Sequence, residues 1–165
     1  LSIEDHSSCD YKKLDKFNLI VQKGVRIDNK NVIFEDNYWK ISGSHNGYLK
    51  KFKTIHEREI EFYPEQMKFV GFDKLLRKNK SKDIKFDIRF HLTPDTKVMK
   101  TQDNKSILIE LEDEGWKFNC DNFDINIDNG LYLGIKNSYK ENQNICISGI
   151  CQDDAQTIKW EITKL

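Results

Sequence analysis

Histidine, proline and glycine are scarce: 165 residues hold four, two and eight of them. Charge of one sign is not in excess, since Lys plus Arg and Asp plus Glu stand at 27 each and the formal net charge is zero. That balance argues against nucleic acid, whose binders carry a basic excess or stripe. No apolar run approaches the roughly 20 residues of a membrane-crossing helix, so no membrane partner is expected. The four cysteines, Cys9, Cys120, Cys146 and Cys151, form no CxxC pair and no His/Cys spacing suited to zinc. Cys146 and Cys151 either bridge across a hairpin or stay as free buried thiols. Glycine-rich phosphate loops, a G-x-S-x-G elbow, HExxH and calcium-loop patterns are all missing. No window of a dozen residues keeps an i, i+3, i+4, i+7 apolar stripe, which leaves helices few or absent.

What the chain does have is a period of two. Phe86, Ile88, Phe90 and Leu92 alternate with Lys85, Asp87, Arg89 and His91, a strand with one buried face. Ile107, Ile109 and Leu111 repeat the pattern, and so do segments near Leu19, Val32, Tyr38, Ile55, Met67, Ile125, Ile145 and Ile158. Turns are expected at Glu112 to Gly115, at Asp128-Asn129-Gly130 (an Asn-Gly hairpin cue) and at Gln152 to Gln156. Leu76 to Lys82 reads as a charged, solvated loop joining two halves. About a dozen short strands at this spacing predict an all-β, antiparallel β-sandwich. Residues 1–165 form one domain, long enough to bury a core. The opening Leu1-Ser2-Ile3 starts inside a pattern, so the chain reads as a piece of a longer protein.

His45 lies in Ser44-His45-Asn46-Gly47-Tyr48, directly after a strand, where sites are often built. The plain alternative is an exposed turn. His56 shares a strand face with Arg58, Ile60 and Phe62, as a ligand or as a satisfied core histidine. His91, Arg89 and Asp87 share the polar side of their strand, either as a cleft cluster or as a solvent face. His6 has no periodic context. Composition and spacing alone support a soluble β-rich domain and no more.

Several ordered segments carry a resemblance: Ser44 to Tyr48, Ile55-His56-Glu57-Arg58, Val70-Gly71-Phe72-Asp73, Phe86 to Pro94, Gly115-Trp116-Lys117-Phe118, Leu131 to Gly134 and Ile158-Lys159-Trp160. This succession resembles the C-terminal β domain of heparinase II/III-like proteins, notably their proteobacterial branch. Two departures stand out: Asn46 where relatives usually have Asp, and Thr93 where they often have a second His. The opening Glu4 to Asp10 is similar to a segment that follows a His-Ser-Thr-Leu motif in that branch.

The resemblance implies a polysaccharide lyase with an N-terminal α/α toroid ahead of this sandwich, acting on acidic polysaccharide, mostly in the bacterial periplasm. Such lyases cleave uronic-acid glycans by β-elimination. The uronate carboxylate is neutralised, a base removes the C5 proton, and a Tyr or His protonates the departing O4. Carried over, His45 is a candidate catalytic residue or zinc ligand, and Tyr48 a candidate acid/base or sugar-contacting group. His56, Arg58, Arg89 and His91 are candidate substrate-binding residues, because a guanidinium pairs bidentately with a carboxylate. Most of the machinery in relatives lies on the toroid, so the chain alone is expected to be catalytically incomplete. The rival reading is a non-catalytic carbohydrate-binding or structural sandwich, with Trp39, Tyr48 and Trp116 as a sugar platform. A small-ligand β-barrel comes last.

Overall fold

The computed structural model describes residues 1–13, 19–78, 82–136 and 138–165. Its strands are β1 (Ser2–Ile3), β2 (Asp10–Lys13), β3 (Leu19–Lys23), β4 (Ile27–Glu35), β5 (Tyr38–His45), β6 (Thr54–Tyr63) and β7 (Lys68–Arg77). They continue with β8 (Ile84–His91), β9 (Lys97–Lys100), β10 (Ser106–Glu110), β11 (Gly115–Cys120), β12 (Asp124–Ile135), β13 (Ser138–Cys151) and β14 (Ala155–Lys164). Among the described residues helix is confined to one turn, α1 (Leu49–Phe52), and a 3₁₀ turn at Pro64–Gln66. The expected all-β fold is therefore what the described residues form.

Two antiparallel sheets stack. The smaller runs β1-β8-β13-β12 and the larger β4-β5-β6-β7-β14-β11-β10-β9, while β2 and β3 pair separately. Alternation decides which side chains meet between them. Phe86 and Ile88 of β8, Ile145 and Ile147 of β13 and Ile125 of β12 point inward from the smaller sheet. Leu75, Ile158, Trp160, Phe118 and Ile107 face them from the larger one. The Phe90 ring bridges the layers edge-on, 5.0 Å from Phe118 and 4.7 Å from Trp160. Each such burial contributes about 1.5–3 kcal/mol.

The larger sheet is wider than its cover. Cross-strand pairing puts Phe34, Trp39, Phe62 and Phe69 on the same side as the core, in register across β4 to β7. At the outer edge that side is bare: Phe34 is 75% exposed, and Val32, Trp39 and Ile41 are exposed with it. The opposite side of the sheet is charged, with Lys40–Glu59 at 2.6 Å and Lys74–Glu57 at 3.2 Å.

Two expectations are corrected. Asp128-Asn129-Gly130 makes no turn but runs through the middle of β12, where Gly130 pairs with Asn142. A side chain at Gly130 would strike Asn144 Nδ2 and come within 2.7 Å of Asn142 Oδ1, so the glycine serves packing and not a bend. Leu76 and Arg77 belong to β7, with Arg77 buried and donating to the carbonyl of Cys151 at 3.1 Å, so the solvated loop starts later than expected. Residues 79–81 of that stretch lie outside the described residues. Cys146 and Cys151 are free, an odd number of residues apart on β13 and hence on opposite faces of it.

Candidate functional site

Strands β5, β6 and β7 run side by side, and their register pairs His45 with His56 and Arg58 with Asp73. Residues paired across strands share a face, so all four side chains project from the core side of the larger sheet. Asp73 is 0% exposed. A buried carboxylate is costly unless its oxygens are satisfied, and here four donors reach it. Oδ1 accepts from His56 Nε2 at 2.6 Å and Arg58 Nε at 2.8 Å. Oδ2 accepts from Arg58 Nη2 at 3.1 Å and Trp160 Nε1 at 2.9 Å. Burial alone would push the Asp73 carboxyl up, but the His56 hydrogen bond and the Arg58 guanidinium outweigh it and bring it down to about 2.

His56, 5% exposed, turns its other nitrogen to His45: His45 Nε2 and His56 Nδ1 are 3.0 Å apart. The backbone N–H of Gly47 donates to His45 Nδ1 at 3.3 Å. One tautomer set satisfies every contact. His45 carries its proton on Nε2 and gives it to His56 Nδ1, and His56 Nε2–H gives to Asp73. Burial and the neighbouring His56 lower the His45 pKa to about 4, so the ring is neutral at neutral pH. The chain of donors thus runs from a half-buried imidazole to a fully buried carboxylate.

Tyr48 lies under this chain, 1% exposed, its ring 5.5 Å from that of His45. Its hydroxyl donates to the Leu1 carbonyl, and burial raises its pKa to about 12. Arg58 is 35% exposed at its side chain and leans over the Phe90 ring. Two of its nitrogens are spent on Asp73, which leaves Nη1 with no partner among the described residues. Arg89 and His91 lie elsewhere, on the outer side of the smaller sheet. Arg89 pairs with Asp87 at 3.3 Å and Asp128 at 3.6 Å, and His91 Nδ1 is 3.0 Å from Asn144 Oδ1. No hydrogen bond or ring contact among the described residues joins them to His45.

Asp73 and Trp160 were quoted in motifs yet given no role from the sequence. The signal was present: Phe69, Gly71, Asp73 and Leu75 share one parity of β7, so Asp73 falls in an inward-facing row. Zinc chemistry does not fit the residues present. A zinc site takes about three protein ligands, whereas His45 and His56 offer two nitrogens already turned to each other. No group of three His, Cys, Asp or Glu side chains among the described residues is arranged to hold a metal.

The model of the heparinase II/III-like C-terminal domain matches residues 1–161. Among solved structures, a heparinase III gene product superposes with a TM-score of 0.65 at 14% identity, covering 82% of this chain and 21% of that one. A crystal structure of heparinase III gives a TM-score of 0.60 at 12% identity, covering 88% of this chain and 22% of that one. The chain thus spans about a fifth of the length of these proteins. No curated protein sequence matches it.

Proposed function

Because the chain belongs to the heparinase II/III-like family, as its C-terminal domain, we propose that it is the β-sandwich part of a lyase cleaving uronic-acid polysaccharides by β-elimination. An N-terminal α/α toroid supplies the other wall of the cleft in this reading. The observation that carries it is the donor chain His45–His56–Asp73.

β-Elimination needs a group that takes the C5 proton and an electrostatic partner for the uronate carboxylate. His45 is neutral at working pH and so able to accept a proton. A proton taken at Nδ1, in place of the Gly47 contact, lets Nε2–H pass its own to His56. The resulting imidazolium stands 2.6 Å from the Asp73 carboxylate, which stabilises it. Arg58 offers Nη1 to the substrate carboxylate while Asp73 holds the rest of its guanidinium in place. Tyr48, with its hydroxyl committed inside, positions the His45 ring, and protonation of O4 falls to the toroid. Arg89 and His91 take no part in the same cleft.

Turnover is read as ultraviolet absorbance of the unsaturated uronate product, for this chain and for a longer protein that carries the preceding domain. The longer protein is expected to turn over at least one of heparin, heparan sulfate, hyaluronan or alginate. His45→Ala in it is expected to reduce kcat by roughly 10²–10⁴. Absence of product from every one of these glycans overturns the reading.

One observation favours a second reading, a non-catalytic glycan-binding module. Phe34 and Trp39 stack with centroids 4.9 Å apart on the bare edge of the larger sheet. Tyr48 is not part of such a surface, being buried. If Phe34→Ala and Trp39→Ala abolish glycan retention by the chain while the longer protein shows no turnover, this module reading replaces the first.

A further inference from the structure

We propose that a lysine-lined cleft beside the His45 site is a separate anion-binding site, taking sulfate groups of the same glycan. The identity of the polymer rests on the lyase reading above, whereas the cleft itself does not.

The cleft encloses about 730 Å³ and is lined by Lys50, Lys51, Lys53 and Lys78, with Asn46, Gly47 and Asp10 among its other walls. The backbone brings the four lysines together. Lys50 and Lys51 lie on the single turn α1, whose Phe52 N–H returns to the Tyr48 carbonyl at 2.9 Å. Lys53 ends that turn in the left-handed region, φ 55°, where glycine or asparagine is the usual choice. The Lys78 N–H then donates to the Lys53 carbonyl at 2.8 Å, which fixes the fourth lysine beside the third.

Their charge is not balanced. Several lysines elsewhere sit on carboxylates, among them Lys68 2.7 Å from Glu161, Lys159 2.9 Å from the same residue and Lys164 2.7 Å from Glu114. Among the described residues none of the four cleft lysines has a carboxylate partner, and Asp10 is the one acidic side chain lining the cavity. In a chain with zero net charge, this is a local positive field over a concave surface, which draws anions.

The residue type points to sulfate. An ammonium is a compact charge with rotatable donors that suits a tetrahedral oxyanion, while the planar arginine fork suits a carboxylate. The site therefore divides the labour, Arg58 facing the uronate carboxylate and the lysines its sulfate substituents. Among the described residues no aromatic side chain lines the cleft, and stacking surfaces are what a nucleic acid strand would use there. Asn46 and Gly47 line the cleft and follow His45 directly, so one glycan strand can reach both.

The test measures binding of the chain, at low salt, to heparin-derived oligosaccharides and to the same oligosaccharides after desulfation. Lys51→Ala/Lys53→Ala is compared with a distant control, Lys97→Ala/Lys100→Ala. At about threefold for each exposed contact, the cleft variant is expected to bind sulfated oligosaccharide about tenfold more weakly, with the control unchanged. Desulfation is expected to weaken binding of the parent chain at least as much and to erase the difference between the variants. Equal binding of sulfated and desulfated forms overturns the proposal, as does an unaffected cleft variant. DNA of equal length bound as tightly as heparin overturns it too, by making the cleft a general cation patch. Sulfate-independent binding alongside turnover by the longer protein removes this inference and keeps the lyase reading. Lysine-dependent sulfate binding without turnover does the reverse.

Discussion

Replacing Asp73 by Asn tests the buried cluster at its centre. The carboxylate accepts four hydrogen bonds, two on each oxygen. An amide keeps one oxygen and presents an NH₂ where the other was. If its oxygen stays with His56 and Arg58 Nε, the NH₂ confronts two donors, Arg58 Nη2 and Trp160 Nε1. The guanidinium also loses its counter-charge. Breaking a buried pair in this way costs about 3–5 kcal/mol. The pH dependence is a sharper signature. Asp73 is held at about 2 in the folded chain against an ordinary value of 3.8. A depressed carboxyl gives stability that is present above its unfolded value and lost as pH falls through the folded one. The window is therefore pH 4 to 2, and the amount is about 2.5 kcal/mol. Urea unfolding followed by tryptophan fluorescence, at pH 7 and stepwise down to 2, measures both quantities. The gap between parent and Asp73→Asn should be several kcal/mol at pH 7 and shrink by about 2 kcal/mol by pH 2. A gap below about 1 kcal/mol at pH 7, or one that does not change with pH, refutes the reasoning.

Other outcomes follow from single contacts. His45 has a folded pKa of about 4 against 6.5 unfolded, so protonating it disfavours the fold. Its contribution is complete above pH 6.5 and lost as pH falls toward 4, and His45→Gln should flatten the acid limb of the stability profile there. Gly71→Ala should destabilise by about 1–3 kcal/mol or more, because a Cβ there would enter the Trp160 ring; thermal unfolding reads the shift. Phe34→Ser should change stability by less than about 0.5 kcal/mol, its ring being mostly exposed, while lowering adsorption of a hydrophobic dye. Thiol labelling of the denatured, unreduced chain should count four reactive cysteines, since all four are free.

Strand after strand was legible in the sequence because the side chains of a half-buried sheet alternate, and little else imposes a period of two. Phe86 to Leu92 shows this directly, with β8 burying Phe86 and Ile88 and turning Lys85 and Arg89 outward. The Asn-Gly cue at Asn129-Gly130 misled for a physical reason. A long partner strand, β13, continues past it, and the missing Cβ makes room for Asn142 and Asn144. His45 and His56 stood out through rarity and context, but their meeting did not, because register between β5 and β6 depends on the turn α1 and on inward packing. Asp73 was hidden by the same ignorance of neighbours: a strand aspartate shows its purpose only once Arg58, His56 and Trp160 are seen around it. The lysine cleft depends on the Lys53–Lys78 backbone contact between residues 25 positions apart, a closure that no local pattern encodes.

The position of the cluster follows from the mismatch in width between the sheets. Where the smaller sheet covers the larger, side chains are apolar and dry. Beyond it, from β5 outward, the same face meets solvent. Asp73 is at the covered end of this boundary, His56 next to it, and His45 and Arg58 at the open end. A carboxylate at the centre of the sandwich would have no route to water. One on the bare edge would be screened and would bind Arg58 weakly. At the boundary it is dry enough to hold Arg58 and His56 firmly, yet linked through two imidazoles to the solvent-facing side. Gly71 is what permits the dry end: its absent side chain lets the Trp160 ring lie flat against β7 and direct Nε1 at Asp73. The site is thus a consequence of uneven layers, with buried charge tolerated where the cover stops.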